Sequence, residues 1–305
     1  MGTPDFAVPS LKKLYDKEYN IQAVFTQPDK PKGRGYKLTP PPVKELALSH
    51  GTCVYQPVSL KKDGEEYIDI IKNLKPDCIV VIAYGKILPK VVLDIPKYGC
   101  VNVHGSLLPK YRGAGPIQWS VLNDEKETGI TTMLMAEGID TGDILLQRST
   151  PIGENETAAE LFDRLADMGA DVLIDTLEGL KNNTIIPIKQ DESKSSYAPM
   201  LDKSMSAINF NNSVRKVHKH ICGLSDWPCA TTKLNGKRLK VYGSEIVAVK
   251  PNDFTPGTVV DETNFSVSCS DGILKFTEVQ LEGSKRMKTS DFLRGHPIKK
   301  GIVLE

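Results

Sequence analysis

The sequence predicts an α/β chain with a mostly parallel sheet, followed by a smaller β-rich domain, and three observations carry this reading. Apolar strand-like runs alternate with helical patterns through the first half, which is the rhythm of βαβ units and hence of a parallel sheet. Short β-runs, separated by the turn signals Asn235-Gly236 and Asp271-Gly272, crowd the last third. Between these regions, residues 181–206 are polar and irregular around Lys189-Gln190-Asp191-Glu192-Ser193-Lys194-Ser195-Ser196, the composition of an interdomain connection.

The elements follow in order. Residues 21–26 read as a strand and 43–49 as a helix; 78–83 read as a strand that turns at Tyr84-Gly85; 100–104 read as a strand before a helix at 117–122. Strands at 130–135 and 144–148 flank Gly138-Ile139-Asp140-Thr141-Gly142-Asp143, and 157–180 carries apolar residues at helical spacing, so this helix is expected to pack across the sheet. Gly2-Thr3-Pro4-Asp5 has the composition of a turn that follows a first strand, yet only Met1 precedes it. An opening strand is therefore expected to be missing, with the loss of a row of ladder bonds and of buried apolar surface. In the last third a helix at 213–222 precedes strands at 230–234, 239–242, 257–260, 265–269 and 273–279. Five short strands point to a small barrel of OB type, with a sandwich as the alternative. The expected division is 1–188 for the first domain, 189–206 for the linker and 207–305 for the second domain.

Composition bounds the function. At 305 residues the chain exceeds one typical domain, and 40% hydrophobic with 25% charged is ordinary for a globular protein. No apolar run approaches the ~18 residues of a membrane span, and no signal-peptide pattern opens the chain, so neither a membrane partner nor export is expected. Cysteines 53, 78, 100, 222, 229 and 269 form no C-x-x-C pair, which reads as reduced thiols in a cytoplasmic protein. The five histidines are scattered, so no metal site is expected. The net charge of +1 hides an asymmetry: residues 206–305 hold 15 Lys+Arg against 10 Asp+Glu. Such an excess is either a solvated surface or a nucleic-acid footprint.

The chemistry centres on Asn102 and His104. On the strand at 100–104, Val101 and Val103 share one face, so Asn102 and His104, two apart, share the other. Gly105 ends the strand, and in an open parallel sheet ligands gather at such carboxyl ends. An amide and an imidazole aimed at one spot suit an acyl transfer, in which hydrogen-bond donors hold the oxyanion of a tetrahedral intermediate. Asp140 is the candidate for a carboxylate that organises proton transfer with His104, although Asp-Thr-Gly-Asp equally reads as a capped turn, with Asp143 as a structural member.

Five segments then carry a resemblance through nearly the whole chain. They are Gly2-Thr3-Pro4-Asp5-Phe6, Gln27-Pro28-Asp29-Lys30-Pro31, Ala83-Tyr84-Gly85-Lys86-Ile87-Leu88-Pro89, Asn102-Val103-His104-Gly105-Ser106-Leu107-Leu108-Pro109 and Gly138-Ile139-Asp140-Thr141-Gly142-Asp143. Together they resemble the methionyl-tRNA formyltransferases. The fourth and fifth are common to folate-dependent formyltransferases, and so speak for the chemistry and not for the acceptor. The resemblance implies a Rossmann-like formyltransferase domain followed by an OB-like β-barrel C-terminal domain, acting on 10-formyltetrahydrofolate and methionyl initiator tRNA; a monomer is expected. It implies that Asn102, His104 and Asp140 are catalytic, that Ser106, Leu107, Leu108 and Pro109 contact tetrahydrofolate, and that Tyr84, Gly85, Ile87, Leu88 and Pro89 line the pterin pocket. Gly85 suits such a pocket because it lacks a Cβ, and it also suits an ordinary turn.

The loop 27–42 carries Lys30, Lys32, Arg34 and Lys37 among Pro and Gly residues. The resemblance implies that this loop engages the acceptor end of the tRNA, with Arg34 as its principal arginine; a guanidinium pairs with phosphates and stacks on bases. Lys237, Arg238, Lys240, Lys285, Arg286 and Lys288 are candidates for backbone contacts from the second domain. Ser225-Asp226-Trp227-Pro228-Cys229 departs from the Asn-Pro-Trp-Pro-Gly form of the family. The rival readings are a folate-dependent formyltransferase with a small amine acceptor (glycinamide ribonucleotide or an amino sugar), a nicotinamide oxidoreductase, which lacks a G-x-G-x-x-G after a first strand, and a catalytically silent tRNA-binding protein.

Overall fold

The computed structural model describes residues 1–32, 37–62, 64–250 and 253–305. Contacts divide the chain into two compact units. The first comprises Met1–Gly113, Thr128–Thr150 and Phe162–Tyr197, and the second Ala114–Glu127, Pro151–Leu161 and Ala198–Glu305. The expected division at residues 188 and 206 cuts the chain more simply than this. Residues 189–197, expected as linker, group with the first unit, and two segments that precede residue 162 group with the second.

In the first unit, Val24–Phe25 pairs in parallel with Val54–Tyr55, and Ile79–Val81 in parallel with Cys100–His104. Met1 and Gly2 lie in the row between these pairs: the Gly2 amide donates to the Phe25 carbonyl at 3.0 Å and the Ile82 amide to the Met1 carbonyl at 2.9 Å. Beside them lies a cavity of about 520 Å³, lined by residues such as Leu11, Val24, Ile71, Leu74 and Ile79. The parallel order ends at Glu127–Leu134, which runs antiparallel to Cys100–His104 and is followed by Ile144–Pro151 at the sheet edge. The sheet is therefore mixed.

Helix Ala158–Lys181 matches the helical spacing at 157–180 and packs on this sheet. Its Leu165 and Leu173 are fully buried, each contributing roughly 1.5–3 kcal/mol by removal from water. Thr176 and Thr132 join helix to strand by a buried hydroxyl pair at 2.7 Å, which satisfies both polar groups away from solvent. Sequence periodicity did not register helices Val8–Asp16 and Glu65–Leu74, which cover other parts of the unit.

The second unit holds a six-stranded antiparallel sheet in the order Ala230–Leu234, Lys237–Val249, Gly272–Leu281, Ser266–Ser268, Val259–Asp261, with Met287–Lys288 added to Gly272–Leu281. Lys237–Val249 is far longer than the expected 239–242, and register shifts at Val241/Gly243 and Ile246/Ala248 mark where bulges bend it. The last residues of the chain bond to both outer strands. The Lys233 amide donates to the Glu305 carbonyl at 2.9 Å, and the Val259 amide to the Ile302 carbonyl at 2.7 Å. Phe265, Phe276 and Phe292 fill the core, with Phe265 5.0 Å from Phe276 and 6.3 Å from Phe292 between ring centres.

Helix Val214–Gly223, capped by the Ser213 hydroxyl accepting from the Lys216 amide, places Val217 and Ile221 in that core. Another part of the helix surface binds the segments 114–127 and 151–161. His218 Nε2 donates to the Glu154 carbonyl at 3.0 Å, Lys219 Nζ donates to the same carbonyl at 2.8 Å, and Arg215 pairs with Asp124 and Glu154. These bonds account for the grouping of 114–127 and 151–161 with the second unit. All six cysteines are free, and burial pushes the Cys100 and Cys222 thiols up to about 12, which leaves them inert. Among the described residues, no helix is long and apolar enough to cross a membrane.

His218 is 0% exposed, and burial, helped by the neighbouring Lys219 and Arg215 charges, holds its pKa below the ordinary 6.5. Burial lowers His220 in the same way. The unfolded chain therefore takes up these protons first, so stability is complete above about pH 6.5 and declines as the pH falls from there toward the folded-state values. Urea midpoints measured between pH 7.5 and 5.5 should fall with acidification, and His218→Asn should make the decline shallower.

Candidate active site

Strand Cys100–His104 is central, bonded on both sides, and its β-branched Val101 and Val103 favour the extended form. Val103 faces the long helix: a Cβ on Gly169 would lie 3.2 Å from Val103 Cγ1, so the glycine lets the helix approach. Alternation then turns Asn102 and His104 to the opposite face, as their spacing predicts. Asn102 is half-buried, whereas His104 is 6% exposed.

The surroundings of His104 decide which of its nitrogens is available. Nε2 lies 2.9 Å from the Tyr111 carbonyl, which only accepts, so Nε2 carries a hydrogen and donates it. Nδ1 faces Asp140 Oδ2 at 3.6 Å, beyond direct hydrogen-bond range. Asp140 Oδ2 in turn accepts from the Gly113 amide at 2.8 Å. Nδ1 is therefore the ring atom at which a proton can come and go, with a carboxylate beside it. Any N–H that His104 offers to a reacting oxygen must be Nδ1–H of the imidazolium.

Asp140 itself has a left-handed backbone, φ +52°, uncommon for a residue with a side chain. Gln190 supports it: Nε2 donates to the Asp140 carbonyl at 2.8 Å and to the Gly142 carbonyl at 2.7 Å. Gly142 presses on the neighbouring strand so closely that a Cβ would collide with the Leu134 carbonyl oxygen. Asp143 contributes its backbone carbonyl, accepting from the Leu134 amide at 2.9 Å.

The loop after the strand is held by residues that sequence reasoning passed over. Thr131 Oγ1 donates to the Ser106 carbonyl at 2.7 Å and accepts from the Leu108 amide at 3.1 Å. Gln147 Nε2 donates to the Leu108 carbonyl at 2.7 Å. The Ser106 hydroxyl is spent on the Lys110 carbonyl at 2.7 Å, and Ser106 and Leu108 are buried, while Leu107 and Pro109 are half-buried. Thr131 lies opposite His104 across the strand pair, a partnership hidden from local patterns because a helix and a short strand separate the two in the chain.

Residues 84–89 separate into two kinds. The Tyr84 ring is 1% exposed in the apolar core, its hydroxyl without a hydrogen-bond partner among the described residues and its pKa pushed up by burial to about 12. Only its backbone is turned to other use, accepting from Gln27 Nε2 at 3.0 Å and Thr3 Oγ1 at 3.2 Å. Gly85 is left-handed, φ +69°, and a Cβ there would strike the Gln27 amide, so glycine is required for the turn. Ile87 is 73% exposed, Leu88 is buried in the same core as Tyr84, and Pro89 caps helix Lys90–Leu93. A flat heterocycle at this loop would meet backbone groups and the Ile87 side chain.

In the loop 27–42, Lys30–Lys32 and Lys37–Thr39 pair as antiparallel strands. Lys30 is exposed, and its Nζ donates to Gln27 Oε1 at 2.8 Å. Arg34 and the Lys32 and Lys37 side chains lie outside the described residues. Among the described residues, no group of three or more His, Cys, Asp or Glu side chains is placed to hold a metal ion.

Residues 1–177 match the formyl transferase family and residues 200–297 match the formyl transferase C-terminal domain. The chain belongs to the formyl transferase family. This formyl transferase is 49% identical over 307 residues to the methionyl-tRNA formyltransferase of Clostridium novyi, covering 100% of the chain and 98% of that relative. It is 50% identical over 306 residues to the methionyl-tRNA formyltransferase of Trichlorobacter lovleyi, covering 100% of the chain and 95% of that relative. Among solved structures, its fold matches the N-formyltransferase from Helicobacter canadensis in complex with folinic acid and dTDP-3-aminofucose, at a TM-score of 0.69 and 22% identity over 94% of this chain and 97% of that one. The sugar 3N-formyl transferase WlaRD matches at 0.68 and 22% identity, over 93% of this chain and 97% of that one.

Gly142→Ala tests the packing beneath Asp140. The added methyl group must push the turn off the Leu134 carbonyl, so the variant should lose roughly 2–3 kcal/mol of stability in denaturant titrations and most of its formyl-transfer activity at temperatures where it is still folded.

Proposed function

We propose that this chain transfers the formyl group of 10-formyltetrahydrofolate to the free amino group of methionyl initiator tRNA. Support comes from full-length identity of about 49% to relatives of that name, and from one geometric observation: the carboxylate of Asp140 faces the free nitrogen of His104 beside Asn102.

Moving a formyl group between two nitrogens places negative charge on the formyl oxygen. Asn102 and the Nδ1–H of His104 are the donors assigned to that oxygen. The Tyr111 carbonyl fixes the ring so that Nδ1, not Nε2, is presented. Asp140 stabilises the positive imidazolium and receives the proton released by the attacking amine; as the C–N bond breaks, His104 gives its Nδ1 proton to the leaving nitrogen and the proton held by Asp140 restores the imidazolium. Ser106, Leu107, Leu108 and Pro109, shaped by Thr131 and Gln147, and the backbone of residues 84–89 with Ile87 are assigned to tetrahydrofolate. Binding both reactants in one orientation supplies the remaining advantage.

The loop of Lys30, Lys32, Arg34 and Lys37 is assigned to the acceptor end of the tRNA. The C-terminal domain is read as an OB-like barrel: its antiparallel strands, whose two edges are bridged by residues 302–305, support that reading, as does its basic balance. The reading also expects a cytoplasmic protein that acts as a monomer.

A labelled-formyl assay with 10-formyltetrahydrofolate and charged initiator tRNA tests the whole reading. Asn102→Ala and His104→Ala should each slow turnover by roughly a hundred- to thousandfold with tRNA binding kept; unchanged turnover would remove them from the chemistry. Equal formylation of small amines and charged tRNA would favour the small-acceptor reading. Arg34→Ala should weaken tRNA use while leaving folate affinity near that of the parent, and tRNA affinity should fall steeply with added salt.

A further inference from the structure

Residues 189–197, expected as linker, return instead to the turn that carries Asp140 and to the 111–113 backbone that anchors the His104 and Asp140 side chains. Arg112, 8% exposed, donates from Nε at 3.1 Å and Nη2 at 2.8 Å to Gln190 Oε1. Its guanidinium also forms a two-pronged pair with Glu192, at 2.9 and 2.8 Å. With Oε1 held by Arg112, the Gln190 amide has one orientation, which aims its NH2 at the Asp140 and Gly142 carbonyls. Gln190 is 5% exposed, so none of these bonds is easily exchanged for water.

The same segment grips the other side of the site. The Tyr111 amide donates to Ser196 Oγ at 2.9 Å and the Arg112 amide to the Ser196 carbonyl at 2.8 Å. Tyr111 and Gly113 flank Arg112, and they supply the carbonyl that holds His104 Nε2 and the amide that holds Asp140 Oδ2. Resting on the function proposed above, we infer that Gln190, oriented by Arg112, is a positioning residue that holds Asp140 in its left-handed turn and thereby sets the spacing between its carboxylate and His104 Nδ1. Gln190 touches neither reactant; it acts through Asp140.

A glutamine is needed because the site asks one side chain to accept from a guanidinium and donate to two carbonyls. Methionine keeps the length and does neither. Glutamate keeps the acceptor and loses both donors.

The experiment compares the full-length protein with Gln190→Met, Gln190→Glu and Arg112→Lys in the labelled-formyl assay, with urea midpoints for each. Gln190→Met should lower kcat by about ten- to a hundredfold, the scale of an ångström-level misplacement, while KM for folate and for charged tRNA stays within about twofold. Its kcat–pH profile should also change shape, because the spacing of the two groups that share the proton has changed. Arg112→Lys, which keeps the charge and loses the fork, should show the same split in milder form. Folded Gln190 variants with parental kcat and pH profile would overturn the inference, as would a loss confined to KM. If Gln190→Met does not fold, Arg112→Lys with parental kcat and pH profile would likewise overturn it. Failure of the parent protein to formylate charged tRNA would instead remove the functional reading, so the two failures are distinguishable.

Discussion

The geometry of the site depends on a short extended stretch of backbone, Arg112–Gly113, and on which way its polar groups point. In extended chain the carbonyl of one residue and the amide two positions on project to the same side, while the amide of the residue between them projects to the other. At Arg112 this puts the Tyr111 carbonyl and the Gly113 amide on the side of His104 and Asp140, and the Arg112 amide on the side of Ser196. An imidazole from a strand and a carboxylate from a turn are thus referenced to neighbouring peptide groups. Helical backbone at Arg112 would turn all its carbonyls one way and its amides the other, and could not hold both side chains.

The 3.6 Å between His104 Nδ1 and Asp140 Oδ2 follows from these anchors. A full hydrogen bond would tie the carboxylate and ring together and leave neither for a substrate. Distance beyond that range, with each partner anchored elsewhere, keeps both groups facing one point. The left-handed backbone of Asp140 persists only if its surroundings over-determine it, and Gln190 and the close contact at Gly142 are what do so.

What the sequence disclosed divides by range. Strand Cys100–His104 and the shared face of Asn102 and His104 were legible because alternation is a property of five adjacent residues. Helix Ala158–Lys181 was legible from its periodicity. Strand limits were not: 21–26 shortened to Val24–Phe25 and 239–242 lengthened to Lys237–Val249, since the partner strand sets how far pairing extends. The contribution of 189–197 was hidden because polar composition is the same whether side chains meet solvent or, like Gln190, meet a guanidinium 78 residues away. Tyr84 shows the converse: a motif residue whose ring went to the apolar core while its carbonyl did the local work.

Charge on the second unit can be sorted in the same physical way. Arg215 and Lys219 are committed to Asp124 and the Glu154 segment, and Arg286 lies 4.1 Å over the Tyr242 ring while pairing with Asp226 and Glu278. A guanidinium already stacked and paired must break those contacts before it can neutralise a phosphate, so Arg286 is a poor choice for counterion release. Lys237, Arg238 and Lys285 are exposed, and they gather where Leu239 pairs with Leu281 and the Glu282 amide donates to the Arg238 carbonyl at 2.9 Å. The sheet register brings these cations to one end of the strand pair. Exposed cations so placed carry mobile charge that can follow a phosphate backbone without fixing a base, which is what the tRNA-binding role proposed for this domain requires.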